Sequence, residues 1–151
     1  AQPEHVEALI WQGIALSSEA GAKGGLGALS IAKAAKQQLE AAIKLDGNAL
    51  KGSAYTSLGT LLYKVPGWPI GFGDKKRAEE LLKKALTINP TGIDPNFFYA
   101  EYLYERERYA DALRHLDTAL KAPARPGREV ADAGRRQEVQ ALIAKVRKDM
   151  E

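Results

Sequence analysis

The sequence predicts an all-α fold of three antiparallel helix pairs followed by a single capping helix. Three observations lead there. Apolar residues recur at three- and four-residue steps through most of the chain, as one buried face of a helix requires. The pattern also repeats: a shift of 34 residues lays Ala78 on Ala112, Leu82 on Leu116, Ala85 on Ala119 and Leu86 on Leu120. Finally, three segments rich in glycine or proline, GAKGGLG, VPGWPIGFGD and APARPG, punctuate the helical runs.

Taken in order, the first helix runs from Pro3 to about Ser18, with Val6, Leu9, Ile10, Ile14 and Leu16 on one broad stripe. Gly13 is the small residue where its partner helix crosses. Residues 21–27 are too glycine-rich for helix interior and are read as a flexible connector. Helix resumes at Ala28 and carries Ala32, Ala35, Leu39, Ala42 and Ile43 to about Asp46-Gly47. Gly13 and Ala35 stand 22 positions apart, whereas the equivalent Ala100 and Ala112 stand 12 apart, so the first pair holds an insertion of about ten residues.

The second pair starts near Asn48. Its joint is also stretched, since Gly59 and Ala78 are 19 positions apart, and the excess falls within residues 65–74. Asp74 is placed to cap the following helix, where Glu79 and Glu80 can pair with Lys83 and Lys84. The third pair, residues 94–122, is the most regular. Asp94 reads as its N-cap and Pro95 as its first helical residue. Phe97, Ala100 and Tyr104 share one face of its first helix, residues 105–108 make the turn, and Ala112, Leu116, Ala119 and Leu120 share a face of the second. Pro123 and Pro126 then break the chain. Residues 128–150 place Val130, Val139, Leu142, Ile143, Val146 and Met150 largely on one face, as a capping helix would, and Gly134 within that helix implies close packing.

The spacing and these motifs resemble the tetratricopeptide repeat, whose period is 34 residues. Ala78, Leu82, Ala85 and Pro90, in AEELLKKALTINP, follow the family's order of small, large apolar, small and helix-ending proline. Tyr55, Leu58, Gly59 and Leu62, in SAYTSLGTLLYK, follow its first-helix order. The resemblance implies a single domain over residues 1–151 coiled as a right-handed superhelix. Repeat 1 would cover about 3–47, repeat 2 about 48–91, repeat 3 about 94–123 and the capping helix about 127–150.

It also implies a concave groove lined by the first helix of each pair, in which such repeats hold a protein or peptide. By motif position the groove would present Ile10, Ile14 and Ser17, then Thr56, Thr60 and Tyr63, then Phe97, Glu101 and Tyr104. This surface is apolar and aromatic, without the lysines, arginines and asparagines that clamp a terminal carboxylate. Trp68 and Phe72 lie in the second insertion. They are expected to pack on the adjoining helices and close the widened gap, or to form a lid over the groove. Arg125, Arg128, Arg135 and Arg136 give the last third a basic bias; a solvated helix face accounts for it, and contact with an acidic partner is the alternative.

Other chemistries find little support. Lysine and arginine number 22 against 19 acids, and a net charge of +3 does not on its own argue for nucleic acid or membrane. There are no cysteines, which excludes disulfides, thiol catalysis and thiolate metal sites. His5 and His115 lie far apart, with no second ligand at metal spacing, and read as two surface histidines. No G-x-S-x-G elbow is present. Residues 21–27 precede a helix, as phosphate-cradling glycines do, but lack G-K-[ST] and follow a helix where such loops follow a strand. No run approaches the roughly 20 apolar residues of a membrane span.

The expectation is therefore a non-catalytic interaction module that binds a protein or peptide and needs no cofactor or metal. The alternative is a periplasmic accessory protein for a small ligand, since the turn GFGDKKRA looks like that of helical-repeat components associated with tripartite periplasmic transporters. The start at Ala1-Gln2 fits removal of a secretory signal, so an exported, periplasmic setting is expected, with a cytoplasmic one as the alternative.

Overall fold

The computed structural model describes residues 3–151, apart from the side chains of Pro3 and Leu26. The Ala1-Gln2 start lies outside the described residues. Those residues fold into seven α-helices: α1 (Pro3–Lys23), α2 (Gly25–Asp46), α3 (Ser53–Lys64), α4 (Lys75–Ile88), α5 (Ile93–Glu105), α6 (Tyr109–Leu120) and α7 (Glu129–Met150). This is the expected all-α repeat architecture. It forms two compact units, one ending at Ile88 and the other spanning Asn89–Glu151.

In the first unit α1 pairs with α2 and α3 with α4, while α3 also packs on α1 and α2. Ile10, Ala35, Leu39, Ala54, Ala78, Leu82 and Ala85 are fully enclosed. Gly13, predicted at a crossing, and its counterpart Gly59 are both required there. A Cβ on Gly13 would lie 2.6 Å from Leu39 Cγ, and one on Gly59 would lie 2.8 Å from Leu82 Cγ and 3.2 Å from the Ala78 carbonyl oxygen. In the second unit α5 pairs with α6, and α7 packs on both. There Ala100, Ala112 and Leu116 are fully enclosed, so alanine takes the place of the crossing glycine.

Four expectations are corrected. First, residues 21–27 are not a connector. Helix α1 continues to Lys23, α2 begins at Gly25, and only Gly24 and Gly25 take positive φ, at 64° and 70°. The Gly24 amide still donates to the Ala20 carbonyl at 3.1 Å, closing the last turn of α1. The insertion has thus lengthened both helices around a one-residue break. Burial of Ala20 on the extended part of α1 offsets part of the roughly 1 kcal/mol that each helical glycine costs relative to alanine.

Second, the N-cap of α5 is Gly92 and Asp94 lies inside the helix. The side chain that turns back is Asn96, whose amide donates to the carbonyls of Pro90 and Gly92 at 3.0 and 2.9 Å. Third, Val130 is exposed and Gly134 has open space around it, because α7 buries only Asp132, Val139 and Val146. Fourth, α3 starts late. Leu50, Lys51 and Gly52 take left-handed backbone in a short turn, and a Cβ on Gly52 would meet Ile88 at 3.2 Å.

The expected cap at Asp74 is present: its Oδ1 accepts from the Arg77 amide at 3.0 Å. Lys83 pairs with Glu79 at 3.6 Å, while Glu80 pairs with Arg77 at 3.2 Å.

Candidate interaction surfaces

On the first unit, Ile10 and Thr56 are buried, and Ile14, Ser17, Thr60 and Tyr63 are half-buried along α1 and α3. The hydroxyls of Ser17 and Thr60 donate to the carbonyls of Gly13 and Thr56, four residues back, at 2.9 and 2.8 Å. Their polarity is therefore met within the helix, and the four side chains carry no charge. The Lys64 ammonium sits 5.9 Å from the Tyr63 ring centroid.

On the second unit, α7 takes up the equivalent side chains. Phe97 is buried, meets Phe98 edge-on at 5.1 Å, and lies under the Arg135 guanidinium at 5.3 Å. Glu101 is half-buried. The Tyr104 hydroxyl donates to the Asp149 carboxylate, and Lys145 stands 5.2 Å from its ring centroid. That hydrogen bond, with partial desolvation and the Asp149 charge, pushes the Tyr104 hydroxyl up to about 12. The neutral phenol that donates is thus the form the fold favours at ordinary pH.

The basic cluster also serves the chain itself. Arg125 donates through Nε to Asp132 at 2.7 Å and reaches Asp94 at 3.3 Å; Arg135 donates to Asp94 at 2.9 Å and pairs with Glu138 at 3.1 Å. Arg136 donates to the carbonyls of Leu120 and Ala122 at 2.7 and 2.9 Å, satisfying the C-terminal end of α6. Asp132 is buried, and its hydrogen bond from Arg125 holds its carboxyl below the usual range. Arg128 is half-buried at the start of α7.

His115 is not a surface residue. Half-buried on α6, it sets Nδ1 2.9 Å from Asn96 Oδ1 and its ring edge-on to Tyr99 at 4.9 Å. Since the Asn96 amide nitrogen is already donating, Oδ1 is the acceptor and Nδ1 carries the proton. Burial, and then Arg114, lower the His115 pKa. Among the described residues no group of three or more His, Asp or Glu is placed to hold a metal ion.

The second insertion is an ordered loop. The Asp74 amide donates to the Leu62 carbonyl at 2.9 Å, Gly73 to Pro66 at 2.8 Å, and Ile70 and Gly71 to Gly67 at 3.2 and 3.1 Å. A Cβ on Gly73 would fall 1.8 Å from the Val65 oxygen, and one on Gly71 2.6 Å from the Pro66 oxygen. Phe72 partly follows the expectation: it is half-buried, with Lys36 5.8 Å from its ring centroid. Trp68 does not, being 90% exposed beside Ile70 at 66%. The loop's own hydrogen bonds aim its tip outward. At the loop's base an open cleft of about 350 Å³ is lined by Lys36, Ile43, Leu58, Leu62, Phe72 and Arg77.

A family model described as tetratricopeptide repeat matches residues 70–146, which is 77 of the chain's 151 residues. The chain belongs to the tetratricopeptide-repeat family. No curated protein matches it. Tetratricopeptide repeats bind proteins or peptides and are generally not enzymes. No described helix of this tetratricopeptide-repeat protein is long and apolar enough to cross a membrane.

Proposed function

We propose that this tetratricopeptide-repeat protein is a non-catalytic interaction module that holds an extended segment of a partner protein along α1 and α3. The observation that carries this is the uncharged, half-buried set Ile14, Ser17, Thr60 and Tyr63 on two helices that pack together. The Ser17 and Thr60 hydroxyls are bonded within their helices, so an apolar partner side chain does not strip them of a partner. Phe97 and Tyr104, which the repeat pattern would add to the surface, are engaged by Arg135 and Asp149. The proposed contact is therefore confined to the first unit.

The test is selection of peptides from a random library on the whole protein. The expected result is that Tyr63→Ala and Thr60→Glu each weaken the selected peptides about tenfold or more, the scale of losing an interface anchor, with helicity unchanged. Unaltered affinity in both variants would remove this face from the account. A second reading, an amphipathic small ligand, is favoured by the cleft beside Phe72, whose size is near the lower end for ligand sites. It predicts thermal stabilisation by a member of a metabolite panel, and loss of that effect in Phe72→Ala.

A further inference from the structure

The loop between α3 and α4 has no role in the contact just proposed. Residues 65–73, VPGWPIGFG, are nine consecutive uncharged residues. At the tip Trp68 is 90% exposed and Ile70 66% exposed, and Pro69 between them is exposed too. The flanks are cationic: Lys64 precedes the loop and Lys75 and Lys76 follow it, all exposed, beside Asp74, which caps α4, while the next cation, Arg77, is paired with Glu80. The hydrogen bond from Asp74 to Leu62 brings the two ends together, so these charges gather around the loop's base.

We infer that this loop docks on a membrane surface containing anionic lipid, with Trp68 and Ile70 entering the interface and the three lysines facing the headgroups. Three observations favour lipid over a protein pocket. The tip is convex and small, and a fluid interface needs no matching cavity to receive it. An indole ring has an apolar body and one N–H donor, which suits the headgroup boundary. Part of the loop backbone also needs no water, which matters where unmet donors are costly. Pro66 and Pro69 have no N–H, and the amides of Ile70, Gly71 and Gly73 are bonded inside the loop. The apolar tip and the basic ring are each weak; together they give the paired signals that stable surface binding needs, each cation adding about 1 kcal/mol near an anionic surface.

The experiment uses the full chain with Trp11→Phe, so that Trp68 is the only tryptophan. It is mixed with phosphatidylcholine vesicles with and without phosphatidylglycerol. The expected result is flotation with the anionic vesicles, a blue shift of Trp68 emission, and weakening by raised salt. Trp68→Ser and the double change Lys75→Glu with Lys76→Glu should each reduce partitioning about fivefold or more. These positions are exposed, so circular dichroism should show unchanged folding. No binding overturns the inference and leaves Trp68 as a protein anchor. Binding that Trp68→Ser does not weaken also overturns it, because the surface charge alone would then be acting. The peptide-selection result is independent of either outcome.

Discussion

The two lengthened joints of the first unit hold inserted residues of similar number and similar glycine content, and they fold in opposite ways. In the joint between α1 and α2 the extra residues become helix, and the reversal is made at Gly24 and Gly25. In the joint between α3 and α4 they become a closed loop held by its own backbone hydrogen bonds. The difference lies in what accompanies the glycines. Alanine, lysine and leucine beside Gly21 to Gly27 allow helix to continue until a positive φ is needed. Pro66 and Pro69 forbid that continuation, since proline offers no donor and clashes with the preceding turn.

The comparison can be broken most severely at Gly73. Its Cβ would overlap the Val65 carbonyl, so Gly73→Ala should cost about 2–4 kcal/mol, as other strained or overpacked sites do, measured by urea unfolding. An unchanged midpoint would mean the loop is not closed as described. Gly24→Ala has open space but a backbone at φ 64°, ψ 174°, a region essentially reserved to glycine, so it should cost about 1–3 kcal/mol. Gly21→Ala, also in open space but inside α1, should instead stabilise by about 0.5–1 kcal/mol. If Gly21→Ala destabilises, the joint is a connector after all. Trp68→Ser should leave stability within about 0.5 kcal/mol, as changes at exposed positions do.

Much of the fold was legible because helical periodicity is a local property. Gly13, Gly59 and Ala100 mark the crossings at the positions the repeat demands. The Gly21 to Gly27 joint was not legible because glycine count overstates helix breaking: only Gly24 and Gly25 take the positive φ that ends a helix. Trp68 was misplaced for a related reason. Large aromatics usually bury, but this one stands at the tip of a loop closed by backbone hydrogen bonds from Gly71 to Gly67 and from Gly73 to Pro66, and the pairing of those groups is not written in the residue types. The arginines at and before α7 looked like a basic face because sequence shows charge but not partners. Asp94 and Asp132, 31 and 7 residues from Arg125, supply them. Asn96 and His115 sit 19 positions apart on different helices, and their contact has no local signal.

The contrast between the joints rests on Trp68 standing in solvent at the tip of a preformed loop. Quenching of Trp68 fluorescence by acrylamide in the free Trp11→Phe protein measures this directly. The structure predicts water-like emission and quenching close to that of free indole. A blue-shifted, quencher-protected Trp68 would contradict it and return the ring to the surface of the adjoining helices.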